Sequence, residues 1–174
     1  MEFTLSDFHP SKSTFYLVTQ NGSTEPMFIA SMGHGLTGRR HTTIHQVGQG
    51  VDANGPSVGD IHLKMLGGDR VVVRGSEMRI VDHGFSWKSI KFIASNGQIY
   101  KWKASGTRNF NLETHQGQMI AVFAGGHRHL FSSNEQATLR IYNPRELALE
   151  DIITTLVYVT GRREVTKASE AAAG

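Results

Sequence analysis

Histidine is the residue type with the most chemistry to offer in this sequence of 174 residues, which contains nine histidines and no cysteine. His127 and His129 are separated by one residue, so both imidazoles would lie on the same face of a β-strand. Glu135 follows them and would add a carboxylate to a divalent-metal site. These three residues are the first candidate metal site, and they predict a metal-dependent enzyme as the alternative function. Gly125 and Gly126 just before them also suit a loop, in which the histidines would simply be exposed to solvent.

A second group of histidines lies earlier in the chain, at His34, His41 and His45. On a strand, His41 and His45 share a face. A zinc site there would need a third ligand from elsewhere in the chain, for which His62 or Asp60 could serve. The simpler interpretation is a set of polar side chains on the solvated face of a barrel strand, which would gain positive charge near a pH of about 6.5.

Basic residues give the sequence a mild positive charge. Eighteen Lys and Arg against 15 Asp and Glu leave a net charge of +3. No block of five or six like charges occurs, so a nucleic-acid partner is not expected. Arg39 and Arg40 form a doublet, and Lys101 and Lys103 alternate along a predicted strand. These four residues are the candidate binding site for an anion, such as a lipid headgroup at a membrane surface.

Missing residue types and motifs exclude several classes of function. Without cysteine there are no disulfides, thiolate zinc ligands, cysteine nucleophiles or iron–sulfur clusters. The sequence has no P-loop, no Gly-x-Ser-x-Gly motif and no dinucleotide-binding glycine motif after a strand. It has no apolar run of about 18 residues and no signal-peptide pattern at its start. We therefore expect a cytoplasmic protein without a transmembrane segment.

The elements that must position these residues are mostly short strands. Runs of four to nine β-rich residues, separated by turn signals, continue as far as residue 143. This pattern predicts an all-β fold, a closed or nearly closed antiparallel barrel of about twelve strands. Asn96 and Gly97 predict a two-residue type I′ turn, which would place Lys91 opposite Trp102.

One helix is predicted near the C-terminus. Asn143 is a good N-cap, Pro144 suits the first helical position, and Gly161 suits the C-cap. The apolar residues between them repeat with helical spacing, at Leu149, Ile152, Ile153, Leu156 and Val157. The sequence thus predicts a single domain over residues 1–163 that includes a helix over residues 144–160, followed by a flexible tail over residues 164–174.

The order of these elements carries a family resemblance. Its residues are Phe3-Thr4-Leu5-Ser6, the segment GQIYKWK over residues 97–103, MIAVF over residues 119–123, and DIITTLVYV over residues 151–159. Over most of residues 1–160 the chain resembles the tubby-like and LURP-one-like barrels, which are related in fold to phospholipid scramblases. It looks most like an uncharacterised fungal family of that type. The resemblance implies about a dozen strands around a buried C-terminal helix in an intracellular protein without a known activity. Tubby proteins bind phosphoinositides through basic residues.

A barrel filled by a helix has little room for an internal ligand, so binding is expected at the rim. The rim loops are predicted at residues 33–40, 48–59 and 124–136. The sequence therefore predicts a non-catalytic binding or interaction module for an anionic lipid headgroup or another small ligand. No cofactor is predicted, except for a divalent metal in the alternative enzyme.

Overall fold

The structure, a computed structural model, describes residues 1–34, 40–47, 57–64, 68–83, 88–126 and 135–173. Within these ranges thirteen strands form one antiparallel sheet. The strands are β1 (Glu2–Leu5), β2 (Thr14–Val18), β3 (Thr24–His34), β4 (Arg40–Gln46), β5 (Ser57–Leu63), β6 (Arg70–Val73), β7 (Ser76–Glu77), β8 (Arg79–His83), β9 (Ser89–Ile93), β10 (Ile99–Ala104), β11 (Phe110–Thr114), β12 (Met119–Ala124) and β13 (Thr138–Ile141). A short 3-10 helix, Pro10–Lys12, follows β1.

The sheet curls into a nearly closed barrel, in which β1 pairs with β2 on one side and with β13, the last strand, on the other. The remaining strands follow in chain order in both directions, ending at β7 and β8. No ladder joins β7 to β8 in the described part of the chain, so the barrel has one seam there. The predicted all-β barrel with one C-terminal helix is confirmed.

Helix α1 (Leu149–Ala173) fills this barrel. Every residue from Glu150 to Gly161 is buried, because strands surround this half of the helix on all sides. The predicted bounds were wrong at both ends. Residues 144–146 form a turn before the helix, which begins at Leu149, and residues 164–173, predicted as a flexible tail, are its last turns. Gly161 is not a C-cap, because the helix continues past it to Ala173. A Cβ there would lie 3.1 Å from Leu63 Cδ1, so this glycine lets the helix pass close to β5.

The hairpin of β9 and β10 has a longer turn than the sequence predicted. Ala94 and Gln98 close a three-residue loop, in which Gly97 has a φ of +78° and Asn96 Oδ1 accepts a hydrogen bond from the Gln98 N–H. The register therefore shifts by one residue, and Trp102 pairs with Ile90 rather than with Lys91. The predicted placement of Lys91 opposite Trp102 is wrong, because the three-residue loop makes Lys101 the partner of Lys91.

Polar groups fix the helix inside the barrel. Trp102 Nε1–H donates a 2.9 Å hydrogen bond to Thr155 Oγ1, whose own hydroxyl donates to the Asp151 carbonyl at 2.7 Å. Ser95 Oγ donates to the buried Asp151 carboxyl. Burial raises the pKa of this carboxyl above its usual range, and the Ser95 hydroxyl only partly offsets that effect.

Candidate functional site

Of the four basic residues predicted to bind an anion, the three that the structure describes do not lie together. Arg39 lies outside the described residues, while Arg40 opens β4 and its Nη1 lies 3.3 Å from Glu164 Oε2 on α1. Lys101 and Lys103 lie on β10, and Lys103 Nζ forms an ion pair with Glu113. Six strands separate β4 from β10 in the order of the sheet. Arg40 and the two lysines therefore belong to different surfaces.

The first candidate metal site falls mostly outside the described residues. His127 and His129 are both in the range 127–134, which the structure does not describe. Glu135 is described and is exposed, next to the start of β13. The prediction that these three side chains hold a metal ion stays a prediction.

A pocket of about 240 Å³ opens at the end of the barrel where α1 leaves it. Strands β1, β3, β10 and β12 end here, and β4, β11 and β13 begin here, because antiparallel strands alternate in direction. Its apolar lining comes from four residues in three separate parts of the chain: Phe8, Pro10, Phe110 and Phe123. Pro10, Phe110 and Phe123 are buried, so the base of the pocket is a continuation of the barrel core.

Basic side chains line the other side of this pocket. Arg163 packs over the ring of Phe110, at 5.3 Å from its centroid, and its Nη2 donates to the Gly106 carbonyl at 3.0 Å. Arg163 Nη1 is buried and has no hydrogen-bond partner among the described residues. Arg108 Nη1 donates to the Gly126 carbonyl at 3.1 Å. Backbone carbonyls thus hold both guanidinium groups in place without neutralising their charge.

The acidic residue of the pocket, Glu164, is already engaged. Its Oε1 lies 2.6 Å from His9 Nδ1, and its Oε2 lies 3.3 Å from Arg40 Nη1. Arg108 and Arg163 form no ion pair with a carboxylate in the described part of the chain, and Lys167 adds a third basic group. The pocket therefore combines an apolar base with a positively charged wall.

The second histidine group gives a compact cluster on the outer wall, close to the same end of the barrel. His41 on β4 lies directly opposite His62 on β5, and their rings stack with centroids 4.2 Å apart and planes 8° apart. Asp60 lies between them: its Oδ2 is 2.9 Å from His41 Nε2 and its Oδ1 is 2.7 Å from His62 Nε2. Both residues considered as a third ligand for His41 are therefore present, whereas His45 is not part of the cluster.

The end pocket was not among the sites predicted from the sequence, and neither were its basic residues Arg108, Arg163 and Lys167. Arg163 follows Thr160 by three residues, so both lie on the same face of the helix. This spacing was the available sequence signal for a basic side chain at the point where the helix leaves the core. That signal does not reveal which loops meet the helix.

The fold and this site define a class: a nearly closed antiparallel barrel, filled by its C-terminal helix, with a basic and apolar pocket where the helix leaves it. The chain belongs to the Family of unknown function (DUF6593), whose model matches residues 9–165. That span contains both the end pocket, apart from Phe8 and Lys167, and the whole of the outer-wall cluster. No curated protein and no solved structure matches the chain. Among the described residues no helix has the length and apolar character needed to span a bilayer.

Proposed function

We propose that this protein is a non-catalytic binding module that takes an anionic group carried on an apolar moiety into the pocket at the end of the barrel. The observation that carries the proposal is the pairing of buried Phe110 and Phe123 with two arginines that lack a carboxylate partner among the described residues. Apolar rings favour a hydrocarbon part of the ligand, and guanidinium groups favour a carboxylate or phosphate.

The size of the pocket limits the ligand. At about 240 Å³ it is smaller than the roughly 300–1,000 Å³ of sites that enclose drug-sized ligands. A short amphiphile fits this volume, and so does the polar end of a longer lipid whose remainder stays outside. Both sources supply the same chemistry, an anion next to hydrocarbon.

Arg163 is the residue expected to contribute most to this binding. Its Nη1 is buried without a partner in the described ranges, and a buried N–H of a charged group gains the most from an anionic acceptor. Arg40 acts indirectly, because it engages Glu164, the acidic residue that lines the pocket.

The proposal is tested by calorimetric titration of the full chain with decanoate and with decanol, the neutral control. A parallel titration uses phosphatidylcholine vesicles with and without phosphatidylserine. A hydrogen bond to a charged group contributes about 1.5–3 kcal/mol, so Arg163→Gln should weaken decanoate binding by about tenfold or more. Arg108→Gln should act in the same direction, and binding should weaken as salt is added.

Arg140→Gln is the matched control, because Arg140 is an exposed arginine paired with Glu2 on the outer wall. It should bind decanoate as well as the unmodified chain does. Vesicle binding that needs phosphatidylserine and Arg163, without decanoate binding, would identify the anion as a lipid headgroup. Failure to bind either probe would overturn the proposal. So would vesicle binding that is lost in Lys101→Gln/Lys103→Gln and retained in Arg163→Gln, which would move the site to β10.

A further inference from the structure

We propose that His41, Asp60 and His62 form a binding site for a divalent transition-metal ion, with zinc as the reference ion, on the outer wall of the barrel. This inference is independent of the end pocket. It rests on the three side chains of β4 and β5, whose placement is set by strand pairing rather than by a loop.

The ligand atoms are close to the spacing that a metal ion requires. One nitrogen from each histidine and one carboxylate oxygen of Asp60 all lie within 4.8 Å of one another. A tetrahedral zinc ion holds nitrogen and oxygen ligands at about 2.0–2.2 Å, which places ligand atoms about 3.3–3.6 Å apart. The two short contacts involve different oxygens of Asp60: Oδ2 lies 2.9 Å from His41 Nε2, and Oδ1 lies 2.7 Å from His62 Nε2. Whichever oxygen becomes the ligand, its contact with the neighbouring imidazole must open by less than about 1 Å. Rotation of exposed side chains is enough for that change.

The backbone supports this geometry. His41 and His62 are direct partners in the ladder of β4 and β5, and Asp60 is the partner of Thr43. His62 and Asp60 are two residues apart on one strand, so they share the outer face. Sites built on paired strands hold their ligands more precisely than sites built on loops.

The chemistry of the three side chains also favours a transition metal. Two imidazoles with one carboxylate are a ligand set used for zinc and for non-haem iron, and three protein ligands leave further coordination positions open to solvent. All three side chains are between 31% and 44% exposed, so an ion can reach them. The nearby cation Arg70, opposite His62 on β6, is engaged by Glu77 at 3.3 Å.

Without a metal, His41 Nε2 is hydrogen-bonded to Asp60 Oδ2 at 2.9 Å, and His62 Nε2 lies 2.7 Å from Asp60 Oδ1. Metal binding requires Nε2 to carry a lone pair, so each neutral ring must place its proton on Nδ1 instead. The carboxylate then becomes a ligand rather than an acceptor. No proton needs to leave the neutral rings for this rearrangement.

The experiment is a calorimetric titration of the metal-stripped full chain with ZnCl₂, followed by CoCl₂ with detection of the visible absorption of the bound cobalt. One ion per chain is expected. Loss of an outer-shell partner of a metal costs about 10–100-fold in affinity, so loss of a direct ligand in His41→Gln, His62→Gln or Asp60→Asn should cost at least about 100-fold. His115→Gln, an exposed histidine in the turn after β11, is the matched control and should bind zinc normally.

The double variant His127→Gln/His129→Gln separates this site from the other sequence candidate. Zinc binding that survives in this variant and disappears in His41→Gln supports the proposal. The opposite pattern, or no zinc binding by the unmodified chain, would overturn it. Unchanged thermal unfolding of the metal-free variants shows that the loss of binding is not a loss of fold, since these side chains lie outside the core.

Discussion

The contact between Gly59 on β5 and Thr154 on α1 provides a sharp test of the helix-filled barrel. A Cβ at residue 59 would overlap Thr154 Oγ1, and it would lie 3.1 Å from both Thr154 Cγ2 and Ile44 Cδ1. Gly59 does not have a positive φ, so the backbone itself accepts alanine. The whole cost of Gly59→Ala should therefore come from overpacking, which is typically about 1–3 kcal/mol. For a chain of this size each kcal/mol lowers Tm by about 2–4 °C.

Chemical denaturation of four variants measures this effect and assigns its cause. Gly33→Ala on β3 is the matched control: its new Cβ would have the His41 carbonyl oxygen 3.9 Å away as its nearest contact. It should be neutral or slightly stabilising, since alanine restricts the unfolded chain. Thr154→Ala removes both atoms that the new methyl group meets on the helix, so Gly59→Ala should cost much less in that background. An equal cost with threonine and with alanine at residue 154 would refute the packing of the helix against β5.

Two further predictions concern the buried polar groups of the helix. Burial raises the pKa of the Asp151 carboxyl above the ordinary value of about 3.9, so the folded chain holds a proton that the unfolded chain releases, and stability falls as the pH rises through that interval. Asp151→Asn should therefore stabilise the fold at pH 7 more than at pH 3.5, and denaturation curves showing the reverse order would contradict the assignment. Thr155→Val keeps the side-chain shape but leaves the Trp102 indole N–H unpaired, so it should cost about 1–3 kcal/mol. Thr154→Val is its control, because Thr154 Oγ1 has no partner among the described residues, and an equal loss in both variants would count against the role of the hydrogen bond.

The architecture could be predicted from the sequence because it depends on patterns that are local. Alternation of polar and apolar residues marks strands such as Ile99–Ala104, and turn residues mark their ends. The registers of the strands were harder to predict than the strands themselves. In the turn between β9 and β10, only Gly97 has a positive φ, so the loop has three residues and every pair of partner residues moves by one position. The end of the helix was predicted wrongly at Gly161, because glycine is present there for its close contact with Leu63, a residue that is remote in sequence.

The candidate sites show the same contrast between local patterns, which the sequence predicts, and contacts between distant residues, which it does not. Period-two alternation places His41 on one face of its strand, and Asp60 and His62 were its predicted candidate partners. Only the register of β4 against β5 decides that His41 faces His62, and the residues between the two strands give no sign of it. The sequence predicted binding at the rim, including the loop of Gly125, but not the end pocket itself, because the pocket joins the segment after β1, the turn before β11, the end of β12 and the part of α1 that leaves the barrel.

The position of the end pocket follows from the place where helix α1 changes from buried residues to charged ones. Its buried half, Glu150 to Gly161, fills the barrel, and the next three residues are Arg162, Arg163 and Glu164. Charged groups are costly to enclose without partners, so the helix must bring them to the end of the barrel, where carbonyl groups and solvent are available. The aromatic core ends at the same level, with Phe110 beneath Arg163. A barrel closed by an inserted helix therefore forms an amphipathic pocket at the exit of that helix, and variation at Arg163 is the simplest way to change what the pocket binds.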